Sequence, residues 1–220
     1  MNYISAHLWE KGKEHTTGIS LILQHASVCK REVLLACVCE SKNTGEEGVT
    51  ESGYFSEGLT EWFHREGVKL CENRKLTDTP GEKVCEEIRR LEEEIAAYLQ
   101  KIKKEPQLHY MGVLLWESRA WFFHKGGCKG YLLNRRFQKK HVREILQKQE
   151  TNVPHFVTGR VQKRVGLLLC TKNFGTEVNR ETMAEVLMPD TEVIGERMEK
   201  RLKELCKDTE SAGAIYLRSY

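Results

Sequence analysis

Glu40 ends an almost unbroken apolar run in the segment VLLACVCESKNTGEEG, residues 33–48, and a polar, glycine-containing loop follows it. An acid at the end of a buried strand is a candidate catalytic or metal-binding group, because functional side chains concentrate on loops held by a rigid scaffold. The same pattern arises wherever a strand simply reaches water. The residues around Glu40 leave both interpretations open.

Cysteine is the other potentially reactive residue type, and the chain has eight of them: Cys29, Cys37, Cys39, Cys71, Cys85, Cys128, Cys170 and Cys206. Most lie in apolar runs or on apolar helix faces, where a reduced cysteine serves as a small hydrophobic residue. No CxxC motif is present, and the close pair Cys37 and Cys39 has no further ligands at zinc-site spacing. Cys128 follows a glycine pair, but no pattern assigns it a base. We therefore expect structural cysteines and no metal site at the pair.

The composition is that of an ordinary globular protein, with 40% apolar residues, 30% charged residues and a formal net charge of +3. The N-terminal residues show no basic segment followed by an apolar one, and no window approaches the roughly 18 apolar residues that a membrane span needs. We expect one domain over residues 1–220, located in the cytoplasm and without a membrane partner.

A basic run, NRRFQKKHVR, occupies residues 134–143, and three more basic residues follow later in the chain: Arg160, Lys163 and Arg164. Such a concentration of positive charge suits an acidic partner. The small net charge and the lack of interleaved stacking aromatics argue against nucleic acid. The expected partner is thus a protein, and the sequence does not choose between a kinase, a phosphoprotein and a second copy of the chain.

The spacing of apolar residues alternates along the chain between a period of two and a period of about 3.6, which predicts alternating groups of strands and helices. The predicted strands are 18–24, 32–39, 109–116, 119–125, 130–134, 164–170 and 212–219. The predicted helices are 51–66, 82–104, 138–149, 180–188 and 191–206. Helices grouped between runs of antiparallel strands favour an α+β fold in which two packed sheets are flanked by helices.

Four segments, taken in order, resemble motifs of the PPM (type 2C) metal-dependent Ser/Thr protein phosphatases. VCESKNT (38–44) resembles the family's VADGMGG loop, and MGVLLWESRAWFFHKGGCKGYLL (111–133) resembles its GTT and GDSR strands. LLLCTKNFG (167–175) resembles LLCSDG, and ESAGAIYL (210–217) resembles the terminal DN strand. The resemblance implies a four-layer αββα sandwich with a site for two divalent cations, magnesium or manganese, at one end.

The positions that resemble the family's metal ligands have mostly lost their acids. The resemblance aligns seven residues with that site: Thr16, Glu40, Ser41, Gly127, Lys172, Asn173 and Ser211. Glu40 is the one carboxylate among them, whereas hard divalent ions require several oxygen ligands. Lys172 replaces an aspartate with a cation, which repels a metal ion. Glu40 is then expected either to pair with Lys172 or to be solvated.

Two functions are compatible with this pattern. The first is a pseudophosphatase, which has no catalytic residues and no cofactor and acts as a binding or regulatory module. The second is a divergent active phosphatase that binds manganese or magnesium through Glu40 and replacement acids such as Glu46, Glu47 or Glu210. The chemistry of the site, and not the fold, distinguishes the two.

Overall fold

The computed structural model describes residues 3–10, 17–28, 30–70, 78–137, 139–146, 152–188, 196–206, 209 and 212–219. The strands are β1 Tyr3–Glu10, β2 Thr17–Val28, β3 Arg31–Thr44, β4 Leu108–Trp116, β5 Arg119–Lys125, β6 Lys129–Arg136, β7 Lys139–Glu144, β8 His155–Arg160, β9 Gly166–Cys170 and β10 Ala212–Ser219. The helices are α1 Glu46–Trp62, α2 Val68–Leu70, α3 Thr79–Lys101, α4 Lys172–Glu177, α5 Arg180–Leu187 and α6 Glu196–Leu205, and a π-helical turn, Phe63–Gly67, joins α1 to α2.

The strands form two five-stranded sheets. Sheet I has the order β1-β10-β9-β6-β7, and sheet II has the order β2-β3-β4-β5-β8. Every neighbouring pair in both sheets is antiparallel. This arrangement confirms the predicted α+β class and excludes a doubly wound parallel sheet.

Three separate apolar clusters define four layers. One cluster lies between the two sheets and contains alternate residues of β3, β4, β9 and β10. A second lies between sheet II and the helices α1 and α3, and a third lies between sheet I and the helices α4, α5 and α6. Each sheet therefore buries both of its faces, and the layers follow the order αββα that the sequence resemblance implies.

The two long helices α1 and α3 cover sheet II and run antiparallel. The Tyr54 hydroxyl donates a hydrogen bond to Glu94, and Gly58, one turn further along α1, packs against Leu91, which lies earlier in α3. The apolar stripe of α3 faces the sheet, because Val84, Ile88 and other residues at the same 3–4 spacing are buried. No helix in the described part of the chain is long and apolar enough to cross a membrane.

The predicted helix 138–149 is wrong, because residues Lys139–Glu144 form β7. Its exposure alternates with a period of two, and Val142 packs towards the cluster under sheet I. An edge strand needs only one lightly buried face, and lysine is common on such edges. The apolar periodicity therefore carried little signal here. The strands β1 and β8 and the short helix α4 were also missed.

Candidate functional site

The alternation of side chains along β3 places Glu40 between the two sheets. The odd-numbered residues 33–39 belong to the cluster on the helix side of sheet II, and the even-numbered residues 34–38 belong to the cluster between the sheets. Because successive side chains point to opposite faces, Glu40 continues the inter-sheet series and Ser41 faces the helices. Glu40 is only 7% exposed. It is therefore a buried acid at one end of the sandwich and not a solvated strand end.

Lys172 lies directly against Glu40. The backbone N–H of Lys172 donates a hydrogen bond of 3.3 Å to the Glu40 carboxyl oxygen Oε2. Lys172 is held there because Thr171, just after β9, exchanges hydrogen bonds with Gly213 of β10 at 2.9 and 3.1 Å. The structure thus brings the two predicted residues together, although the hydrogen bond comes from the backbone amide of Lys172 and not from its ammonium group.

The side chain of Lys172 fills the space that a side chain at position 127 would need. A Cβ atom built on Gly127 would lie 2.7 Å from Cδ of Lys172 and 3.1 Å from its Cγ. The Gly127 N–H is also fixed, since it donates a hydrogen bond of 3.1 Å to Nδ1 of His109. A side chain at position 127 would therefore have to displace the Lys172 side chain from its present position.

Burial dominates the electrostatics of Glu40. Desolvation raises the pKa of its carboxyl group above the ordinary value, and the Lys172 amide and the charges of Lys42 and Lys172 oppose this only in part. Cys128 is buried near the same place, and burial, with a smaller contribution from Glu40, raises the pKa of its thiol well above normal. A thiol that stays protonated is a poor nucleophile, which supports the structural interpretation of Cys128.

Glu51 holds the last residues of β3, which follow Glu40, and the sequence analysis missed it. Its oxygen Oε2 accepts hydrogen bonds from the Ser41 hydroxyl at 2.6 Å and from the Asn43 amide at 2.9 Å. Its oxygen Oε1 accepts one from the backbone N–H of Gln107 at 2.7 Å. The side chain is 2% exposed. The signal that could have revealed it is its position on the apolar stripe of α1, four residues before Phe55.

The other predicted site residues that the structure describes place no further carboxylate against Glu40. Asn173 lies in α4, next to Lys172, and its carbonyl accepts a hydrogen bond from Thr176. Glu46 is exposed in the first turn of α1, and Glu47 forms an ion pair of 2.8 Å with Lys104. Three further predicted residues, Thr16, Glu210 and Ser211, lie outside the described residues.

These donors do not fit a pair of divalent cations. Among the residues that the structure describes, no three His, Cys, Asp or Glu side chains converge on a point where a metal ion could bind. Glu40, the one acid between the sheets at this end in the part of the chain that the structure describes, already accepts a hydrogen bond from the neighbouring backbone. Hard cations need several oxygen ligands in an open arrangement, so the described residues supply too little negative charge.

Replacing Glu40 with glutamine is expected to stabilise the protein at neutral pH. Burial raises the pKa of Glu40 in the folded state, so the folded chain binds the proton more tightly and loses stability as the pH rises above the ordinary carboxyl value. Glutamine has no such charge and can still accept the Lys172 N–H. Thermal melts between pH 4 and pH 8 should show an advantage for Glu40→Gln that grows with pH. The exposed Glu57→Gln serves as the control, and an equal response in both variants would contradict the assignment.

No family model and no curated protein matches the sequence. Solved structures do match: Stp1 from Staphylococcus aureus is 11% identical with a TM-score of 0.76, over 100% of this chain and 96% of that one. The catalytic domain of the phosphatase PstP with two manganese ions is 13% identical with a TM-score of 0.72, over 99% of each chain. PppA, a regulatory component of T6SS in Pseudomonas aeruginosa, is 10% identical with a TM-score of 0.73, over 100% and 99%. The chain therefore has the fold of the PPM-type Ser/Thr protein phosphatases, as its motif resemblance predicted.

Proposed function

We propose that this chain is a catalytically inactive PPM-type phosphatase-like protein that acts as a binding or regulatory module in the cytoplasm. The observation that carries the proposal is the position of Lys172, whose amide binds Glu40 and whose side chain occupies the space above Gly127. These three residues are counterparts of the metal site in the motif resemblance. Lys172 therefore fills space beside positions 40 and 127, where the resemblance implies acidic metal ligands in the family.

Charge opposes metal binding at this place. An ammonium group about 4–5 Å from a divalent ion raises the free energy of the bound state by several kcal/mol, even at an effective dielectric constant of about 20. Against this repulsion, Glu40 is a single carboxyl group that could attract the metal ion, and its burial already disfavours its ionised form. Without two metal ions to activate water and neutralise the phosphate, the chemistry of this fold has no nucleophile.

The alternative, an active phosphatase with replacement ligands, requires Glu46, Glu47 or Glu210 to act with Glu40. Glu47 is held by Lys104, and Glu46 is exposed on the first turn of α1. For either of these two acids, reaching Glu40 would require breaking the ion pair of Glu47 or displacing the start of α1. Glu210 lies outside the described residues. No contact among the described residues favours this alternative, so we place the function in binding, with a protein as the partner.

A phosphatase assay tests the proposal. Turnover of p-nitrophenyl phosphate and of a phosphothreonine peptide would be measured in millimolar manganese, with the PstP catalytic domain assayed in parallel to show that the conditions support catalysis. We expect no manganese-dependent turnover by this chain. Turnover that disappears in Glu40→Gln would overturn the proposal, because it would show that Glu40 serves an active metal centre.

Replacing Lys172 with aspartate is expected to lower the free energy of unfolding by about 1 kcal/mol and to create no activity. The new carboxylate would face Glu40, and like charges at this range are destabilising. Activity is not expected, because the backbone amide at position 172 still donates its hydrogen bond to the Glu40 carboxyl group. In addition, position 127 is still a glycine and supplies no acid. Urea denaturation and the manganese assay provide the measurements.

Lys172→Met is the matched control for this substitution, since it keeps the apolar stem over Gly127 and removes only the charge. It should be less destabilising than Lys172→Asp. Manganese-dependent stabilisation and turnover in the aspartate variant would show instead that a nearly complete metal site is present.

A further inference from the structure

A cleft lies at the end of sheet I that is remote from Glu40. Strand β6 runs from Lys129, which packs beside Gly175 in the helix that begins at Lys172, to Arg136, which lines the cleft. The strand between these residues is about 20 Å long at the usual rise of extended backbone. The cleft is therefore separate from the counterpart of the metal site.

The cleft is deep enough to hold a ligand, and its floor is apolar. Its volume is about 600 Å³, which is within the usual range for ligand pockets. Leu133, Leu187 and Tyr216 line it and are themselves almost fully buried, with exposures of 1, 0 and 3%. A floor of this kind is rigid, because its side chains also belong to the packed cluster between sheet I and its helices.

The rim of the cleft is strongly basic. Arg136, Lys163, Arg164 and Arg218 line it, and the first three are exposed to solvent. Among the described residues, no aspartate or glutamate lines the cleft, and none of these four cations forms an ion pair. Their summed field attracts an anion to the mouth of the cleft.

A second hollow of about 370 Å³ adjoins the first and extends the basic surface. The two share Arg136, and the second adds Arg143 of β7 and Arg160 of β8. Phe137 stands beside them at the tip of the β6–β7 hairpin and is 99% exposed. The basic surface is therefore long enough to contact several residues of an extended ligand.

The backbone at Arg164 has a conformation that is uncommon for a residue with a side chain. Its φ angle is +66°, in the left-handed region that favours glycine. A residue with a Cβ atom at such a position costs about 1 kcal/mol or more. Four other non-glycine residues of the described chain also have a positive φ, so the assignment of Arg164 rests on its exposed position on the rim of the cleft.

We infer that the cleft binds a phosphorylated segment of a partner protein. Arg136 and Arg164 contact the phosphate, and a neighbouring apolar side chain of the ligand rests on the floor formed by Leu133 and Tyr216. Arginine suits phosphate because its planar fork donates paired hydrogen bonds. The inference does not depend on the proposed loss of catalysis, since the two sites lie at opposite ends of the sandwich.

Two other classes of polyanion fit the surface less well. Non-specific binding of single-stranded nucleic acid uses successive stacking aromatics along a basic groove, and Phe137 is the one exposed aromatic of the described residues beside this cleft. Stable adsorption to an anionic membrane combines basic charge with an apolar face or chain that enters the lipid. The exposed large apolar residues are instead dispersed along the chain, with Val49 and Tyr98 in the helices over sheet II.

The test is a fluorescence anisotropy titration with a labelled degenerate peptide library that has phosphoserine at a fixed central position, compared with the same library carrying serine. We expect the phosphorylated library to bind at least tenfold more tightly. Arg164→Gly should weaken that binding at least tenfold without lowering the melting temperature, because glycine adopts a positive φ readily. Arg136→Gln should weaken it as well.

Lys103→Gly is the matched control, since Lys103 is also an exposed cation with a positive φ of 59° but lies at the end of α3, away from the cleft. It should bind the phosphorylated library as the unmodified chain does. Equal affinity for both libraries, or equal losses in Arg164→Gly and Lys103→Gly, would overturn the inference. So would complete displacement of the peptide by an equal concentration of inorganic phosphate, or tighter Arg164-dependent binding of a single-stranded oligonucleotide or of phosphatidylserine vesicles.

Discussion

Glu51→Ala is expected to lower the free energy of unfolding by about 3–4 kcal/mol, the largest effect that we expect of a single substitution in the site region. The substitution removes the acceptor of three hydrogen bonds, from the Ser41 hydroxyl, the Asn43 amide and the Gln107 backbone N–H. A buried donor left without an acceptor costs about 1–3 kcal/mol. The half-buried Asn43 amide keeps its separate bond to the Glu105 carbonyl, and water can accept from its other N–H, so its share of the loss is small. Urea denaturation monitored by circular dichroism measures the change.

Two further variants separate the hydrogen bonds from the change in residue size. Glu51→Gln keeps the shape but turns one acceptor into a donor, so its loss should lie between zero and that of alanine. Glu57→Ala removes an exposed acid from the same helix and should change stability by less than about 0.5 kcal/mol. A small effect of Glu51→Ala, similar to that of Glu57→Ala, would contradict the organising role of Glu51.

Gly18→Ala is expected to destabilise the fold by about 2–3 kcal/mol or to prevent its formation. Gly18 lies where the register of β2 shifts against β3, and a Cβ atom there would come 1.9 Å from the backbone oxygen of Gly48. The obstructing atom belongs to the backbone at the start of α1 and cannot rotate away. The added methyl group must therefore separate β2 from α1 and disturb the end of β3, which follows Glu40.

Gly53→Ala provides the control for Gly18→Ala, because it lies in the same helix as Gly48 with nothing within 4 Å of its built Cβ atom. Alanine in a helix interior is favoured over glycine by about 0.5–1 kcal/mol, so this variant should be more stable than the unmodified chain. Chemical denaturation of both variants gives the comparison. Two alanine variants of similar stability would show that the close approach at Gly18 is easily relieved.

The sequence predicted the buried framework well, because its apolar periodicity there is strong. Strands β3, β4 and β5 are covered on both faces, and the stripe of α3 repeats over six turns, so their types were correct and the limits of β4, β5 and α3 were close. Strand β3, however, continues to Thr44, beyond its predicted end at residue 39. Strand β7 was taken for a helix, since basic residues on an edge strand leave no apolar pattern to read. The antiparallel pairing followed from the order of the elements and not from any single segment.

The candidate site was predictable only in part. The motif resemblance brought Glu40, Lys172 and Gly127 into one group, and the structure places them in contact or close to it. It did not predict that the Lys172 amide, and not the ammonium group, would bind Glu40, because that depends on how α4 begins after β9. Glu51 was missed for a similar reason. Its three donors lie at the end of β3 and in the segment before β4, and a local sequence pattern does not predict contacts between segments that are distant in sequence.

The most direct test of the central claim, that the metal centre of this fold is absent from the chain, is a calorimetric titration with manganese. The PstP catalytic domain, which binds two manganese ions, serves as the positive control after its ions are removed, and it is titrated in the same buffer. We predict no saturable heat for this chain up to millimolar manganese and the same flat trace for Glu40→Gln. Saturable binding of two manganese ions per chain that is lost in Glu40→Gln would contradict the account.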